Sequence, residues 1–110
     1  MLQFTDAVAI GSTRTTKDGY LVVDAKIARS GIQLYGGCLL ESSVGAAAHL
    51  QVFATFRELE WGCEHFGPQI LTGEYVTEPL RFEDFAVHLP TGPGIGVVLD
   101  EDKLRHYARS

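Results

Sequence analysis

Residues Ile32 to Phe56 read IQLYGGCLLESSVGAAAHLQVFATF, and the way this stretch divides decides the fold. Its first part, Ile32 to Leu40, is a short apolar run that reads as a strand. The pair Gly36-Gly37 inside it marks a bulge or a close approach of another backbone. Glu41-Ser42-Ser43 is a polar break, and Ser42 or Ser43 is a good N-cap for a helix. Val44 to Phe56 reads as that helix. Val44, Ala47, Ala48, Leu50, Val52, Phe53 and Phe56 cover most of its sides, so it is expected to be buried. A strand, an acidic turn and a buried helix thus form the centre of the chain.

Outward toward the N-terminus, residues 2–10 alternate loosely and read as a strand. Gly11 to Gly19 is polar and ends in the turn signal Lys17-Asp18-Gly19. Tyr20 to Ala28 is rich in β-formers, so the two runs are expected to pair as a hairpin. Arg29-Ser30-Gly31 separates this hairpin from the central strand. Toward the C-terminus, Glu58 to Gly73 is irregular. Leu80 to Leu89 reads as a strand, Pro90 to Gly94 as a turn, and Ile95 to Leu99 as another short strand. Asp100-Glu101-Asp102 opens a last helix with Arg105, His106 and Arg109 near its end, which suits the helix dipole. The expected class is α+β, a single domain over 1–110 with a hairpin segment (1–33) and a strand-helix-strand segment (34–110).

Composition narrows the function classes. The chain has 110 residues, 45% apolar and 21% charged, which is globular composition and enough for a real core. Nine Lys and Arg against fourteen Asp and Glu give a net charge of −5, and the basic residues are scattered. Without a basic stripe, neither nucleic acid nor an anionic membrane surface is an expected partner. Nothing in the sequence approaches the roughly 20 apolar residues of a membrane span, and Met1 to Asp6 lacks the basic start of a signal peptide. Cys38 and Cys63 are too few for a disulfide framework and are expected as reduced thiols in a cytoplasmic protein.

Several stretches carry a resemblance. Leu34 to Gly45 (LYGGCLLESSVG), Leu59 to Glu64 (LEWGCE), Phe66-Gly67-Pro68, Thr77 to Leu80 (TEPL), Pro90 to Val97 (PTGPGIGV) and Leu99 to Leu104 (LDEDKL) succeed one another in a familiar order. Over residues 34–109 they resemble the C-terminal segment of the muconate cycloisomerase group of the enolase superfamily. The resemblance implies that the Tyr-Gly-Gly run is a last barrel strand, and that Glu41 lies at the mouth of an active site near a substrate enolate. It also implies paired lysines, a further catalytic lysine and three carboxylate metal ligands on earlier strands that this chain does not contain. Phe4-Thr5-Asp6, Arg14-Thr15-Thr16, Asp18 to Val22 and Ala25 to Gln33 resemble instead the start of a phage prohead-protease-like family, over residues 4–33, with a junction near Gly31-Ile32-Gln33.

Taken together these readings describe a chimera, natural or artificial, that lacks a full catalytic set, because metal-assisted proton abstraction needs base, metal and ligands together. The expected function is non-catalytic: self-association as a homo-oligomer, most simply a two-fold dimer, or contact with a protein partner. The alternatives are a remnant of a muconate cycloisomerase-type isomerase with residual ligand binding, and a phage-related structural or inhibitory protein. The expected ligand-contacting residues are Glu41, Ser42 and Ser43, with an anion received at the helix start and Glu41 as a relic of a catalytic acid. No cofactor and no bound metal are expected. Cys63-Glu64-His65 with His49 or His88 matches no closed zinc spacing, and Gly92-Pro93-Gly94-Ile95-Gly96 precedes a strand and reads as a turn, not as a phosphate loop.

Overall fold

The computed structural model describes residues 7–10 and 31–108. The central strand, β2 (Gln33–Gly36), is shorter than the apolar run that encodes it. It buries Leu34 and Gly36 and turns Gln33 outward, as period-two alternation requires. Strand β1 (Ala7–Ile10) pairs with it in parallel, from Ala7 opposite Gln33 to Ile10 opposite Gly36. Parallel neighbours need a crossover connection rather than a tight turn, and this pairing leaves the expected hairpin between residues 2–10 and 20–28 untested. The second hairpin arm, residues 20–28, lies outside the described residues.

On its other side β2 meets the segment 62–64. Gly36 N–H donates to the Gly62 carbonyl at 2.8 Å, and Glu64 N–H donates to the Gly36 carbonyl at 2.9 Å. Gly36 is the close approach that the sequence signalled. A Cβ there would stand 2.7 Å from Cys63 Cβ and 2.8 Å from the Phe53 ring.

Helix α1 (Ser43–Phe53) comes directly after the acidic turn. Its alanines favour helix, and Ser43, Ala46, Ala47, Leu50 and Phe53 are its buried positions. It ends three residues before the expected Phe56. Thr55 N–H and Phe56 N–H donate to carbonyls three residues back, at 2.9 and 3.0 Å, so the last turn tightens and brings Phe56 onto Phe53. The helix faces two apolar clusters. Leu34, Phe53 and Phe56 form one against β2; Ala46, Ala47, Leu50 and Leu80 form the other, with Phe82, Val87, Ile95 and Val97 around it.

Beyond the one-turn helix α2 (Gly67–Ile70), the chain returns along α1. The expected strand 80–89 is a two-residue hairpin, β3 (Phe82–Glu83) against β4 (Ala86–Val87), with Asp84 and Phe85 at its tip. Both tip residues have positive φ (48° and 60°), as a type I′ turn needs. The expected strand 95–99 reduces to an antiparallel bridge between Val76 and Leu99. Helix α3 (Glu101–Tyr107) has the expected polarity, and the Asp100 side chain accepts from the N–H groups of Asp102 and Lys103. Parallel and antiparallel pairs lie in separate sheets beside the helices, so the class is α+β. Among the described residues no helix is long and apolar enough to cross a membrane.

Candidate functional site

The chain leaves the C-terminal end of β2 through Gly37, Cys38, Leu39 and Leu40. Leu40 adopts φ 63°, a left-handed conformation that a leucine holds only where its surroundings force it. The next residue is Glu41. Its carboxylate turns back and accepts the Leu39 N–H at 2.9 Å. Two glycines leave room for it. A Cβ on Gly67 would lie 2.1 Å from the Glu41 carbonyl oxygen, and a Cβ on Gly45 would lie 2.8 Å from Glu41 Cβ. The first of these contacts is with backbone and has nothing flexible to move. A strained residue before Glu41 and bare glycines on α1 and α2 therefore fix where the acid stands.

The two serines do other work. Ser42 Oγ pairs with the Tyr75 hydroxyl at 2.5 Å. Ser42 occupies the N-cap position, yet its side chain caps nothing. Ser43 is fully buried; its N–H and hydroxyl both donate to Glu74 Oε1, at 2.8 and 3.0 Å, and its oxygen accepts the Leu80 N–H at 3.3 Å. The start of α1 thus meets the protein's own Glu74 carboxyl group, brought in from the return segment, where it suits the positive end of the helix. Ser42 is the N-cap residue as expected, but its side chain makes no capping hydrogen bond.

A cluster absent from the expected ligand set lies beside Glu41. His49 on α1 and His65, just past the rung that joins Glu64 to β2, meet with Nδ1 and Nε2 2.9 Å apart. One donor atom from each of Glu41, His49 and His65 lies within 4.8 Å of the others. Phe53 packs against both rings, at 6.0 Å from His49 and 5.4 Å from His65. His65 is only 3% exposed, and its Nδ1 has no hydrogen-bond partner among the described residues. Burial pushes both histidines below the ordinary imidazole value of 6.5 and outweighs the opposing pull of Glu41; for His65 the nearby His49 lowers it further. At neutral pH the pair is therefore uncharged, with lone pairs available for a proton or a cation.

Glu64, between Cys63 and His65, faces another way. It accepts the Tyr35 hydroxyl at 2.5 Å and the Cys38 N–H at 3.3 Å. These donors hold its carboxyl below the usual range, and the same bond pushes the Tyr35 phenol up to about 12. Cys63 packs among apolar side chains, and His88 stands 3.6 Å from Glu83 on the β3–β4 hairpin. Of the residues Cys63, Glu64, His65, His49 and His88, the fold brings together His49 and His65 alone and joins them to Glu41. No spacing rule could have found this, because the three residues sit on a turn, a helix and a loop. A cleft of about 590 Å³ opens nearby, lined among others by Glu64, His65, Phe66, Phe82 and Phe85.

Comparison with known proteins places these features. The family model described as enolase C-terminal domain-like matches residues 6–103. Muconate cycloisomerase 1-2 of Acinetobacter lwoffii is 46% identical over 94% of this chain and 30% of its own length. The chloromuconate cycloisomerase of Delftia acidovorans is 49% identical over 82% of this chain and 24% of its own. Among solved structures, the muconate lactonizing enzyme from Pseudomonas putida superposes with a TM-score of 0.86 at 42% identity, covering 94% of this chain and 29% of that one. Muconate cycloisomerase from Pseudomonas fluorescens gives 0.81 at 37% identity, over 86% and 26%. The chain thus spans under a third of the length of these relatives. The family match extends across Gly31-Ile32-Gln33, where a junction was expected. That overturns the reading of a non-catalytic chimera: residues from position 6 onward, which had suggested a phage prohead protease, fall within the same family match.

Proposed function

The chain belongs to the enolase C-terminal domain-like family, and from that premise we propose that it is the closing part of a muconate cycloisomerase-type isomerase, with Glu41 at the mouth of the active site. One observation carries the reading. Glu41 stands just past the C-terminal end of a strand in a parallel pair, held by the Leu40 turn and the glycines at 45 and 67. In barrels of parallel strands and helices, the groups that meet substrate project from that end. The relatives named as acting on muconate are similar over most of this chain, which favours a dicarboxylate as the substrate class. On this reading Glu41 orients or protonates the reacting part of the substrate. Ser42 and Ser43 set the position of the turn through Tyr75 and Glu74, and reach the ligand only through Glu41.

The divalent ion that the family resemblance implies would need three converging carboxylates. Among the described residues no such trio assembles; the one converging group is Glu41, His49 and His65. No step is assigned to that ion. Two free thiols, Cys38 and Cys63, support a cytoplasmic setting. Leu39, Ile70, Phe85 and Val98 are exposed, so the isolated chain is expected to self-associate where the rest of a barrel does not cover them. A strictly monomeric species by light scattering at high micromolar concentration would contradict that.

The test of function is complementation. The chain is co-expressed with a Pseudomonas putida muconate lactonizing enzyme shortened by the matching region, and muconate-dependent turnover is measured. Turnover is expected from the pair and from neither part alone. Glu41→Gln is expected to lower kcat by roughly 100-fold, the lower end of what a positioned acid or base contributes. A soluble pair without turnover, or full turnover with Glu41→Gln, would overturn the reading.

A further inference from the structure

We propose that Glu41, His49 and His65 form a binding site for a transition-metal dication of the zinc class, distinct from an all-carboxylate magnesium or manganese site. Two imidazoles and one carboxylate are a donor set that suits zinc, nickel or copper, whereas magnesium prefers oxygen ligands alone. The donor atoms already converge within 4.8 Å. Two ligands at about 2.0–2.1 Å from a tetrahedral ion lie roughly 3.4 Å apart. His49 Nδ1 and His65 Nε2 stand at 2.9 Å, so the pair needs to open by only a few tenths of an ångström. In the metal-free pair one nitrogen must donate and the other accept; a cation between them takes both lone pairs. Three protein donors leave a fourth position for water or a ligand atom, the pattern of an open site.

Each donor is held from a separate direction. Helix α1 carries His49, and the rung between Gly36 and Glu64 anchors the segment ending in His65. Gly67 and Gly45 confine Glu41, and Phe53 backs both rings. One feature limits affinity. Ligation through Nε2 places the His65 proton on Nδ1, which has no acceptor among the described residues, and a missing outer-shell partner costs about 10–100-fold. Binding is therefore expected in the micromolar range, weaker than in closed structural zinc sites.

Zinc is titrated into the full chain against a chromophoric chelator, and cobalt(II) is added in parallel. One ion per chain and the visible absorption of four-coordinate cobalt are expected. His65→Phe and, separately, Glu41→Gln are each expected to weaken zinc binding by at least about 100-fold, above the range of outer-shell changes, with far-UV circular dichroism unchanged. The Cys38→Ser/Cys63→Ser double variant is expected to bind as the parent does. If one single variant fails to fold, the other decides. An absence of binding by the parent, binding that survives in whichever single variant folds, loss of binding in the double cysteine variant, or displacement of zinc by equimolar magnesium would each overturn the proposal. The readout uses metal and protein alone, so its failure is separable from failure of the isomerase reading.

Discussion

Residues 33–70 and residues 74–107 are of similar length, but different forces hold them. In the first region the chain is packed. Leu34, Ala46, Ala47, Leu50, Phe53 and Phe56 are buried, and Gly36 and Gly67 sit where no Cβ fits. In the second, only Val76 and Leu80 are buried apolar residues, and α3 buries none of its side chains. That helix is tied by hydrogen bonds, namely the Asp100 cap and Lys103 Nζ to the Val76 carbonyl at 3.0 Å, and the Tyr107 ring lies against Gly73. A seven-residue helix is marginal in water without tertiary packing. The site is built on the packed region, and the return segment contributes Glu74 and Tyr75 to brace it. Geometry that must hold to tenths of an ångström is placed where the core is dense.

The sharpest way to break this contrast is Phe53→Ala. Phe53 joins β2, the end of α1 and both site histidines. Truncating a buried phenylalanine costs about 3–5 kcal/mol, much of the roughly 5–15 kcal/mol that holds a small domain together. The expected result in urea is a large drop in midpoint with partial unfolding already in buffer. A loss under about 1 kcal/mol, well below the usual range for such a truncation, would mean that the first region is not the packed one.

The same contrast explains what could be read from sequence. The strand, the Glu41 turn and α1 were legible because their pattern is local: an apolar run, a glycine pair, serines, then an alanine-rich apolar stretch. Gly36 signalled its close approach correctly. In the return segment, local signals promised strands at 80–89 and 95–99, but short β-rich runs become strands only where a partner backbone is in reach. Phe82 to Val87 found its partner in itself, and Leu99 found only Val76. The parallel pairing of β1 was illegible for the same reason, since its partner lies more than twenty residues away. Within the site, Glu41 was legible from its place at a strand end. The histidines were not, because the contact between His49 and His65 belongs to the tertiary fold. The N-cap position of α1 was legible, but the acceptor at its start was not, since Glu74 supplies that hydrogen bond from a distant segment.

A smaller effect is expected at Asp100. Its side chain accepts the N–H groups of Lys103 and Asp102, and the Lys103 N–H is the main reason its carboxyl lies below the usual 3.8. A folded value below the unfolded one gives stability that is complete above pH 3.8 and is lost as pH falls through the folded value. Asp100→Ala is expected to lower Tm by on the order of 5 °C at pH 7, with α3 amides exchanging faster and those of α1 unchanged. Below the folded value the variant and the parent should converge. Equal loss of protection in α1 would show that the two regions are one cooperative unit, and would erase the contrast.

The smallest expected effect has the opposite sign. Phe85 is fully exposed at the hairpin tip and holds φ 60°. Left-handed backbone costs an L-residue about 1–2 kcal/mol, while glycine adopts it freely and loses about 0.5–1 kcal/mol through its looser unfolded chain. Phe85→Gly is therefore expected to stabilise the chain by about 0.5 kcal/mol, raising Tm by roughly 2–4 °C. If instead the variant is less stable, the ring is packed in solution against a second copy or a neighbouring surface, and the return segment has a core of its own. Repeating the melt in the complemented pair separates these cases. There, loss of stability confined to the pair would place Phe85 at the seam with the rest of the barrel. A gain in both settings would leave the ring as a strained tip without a packing role.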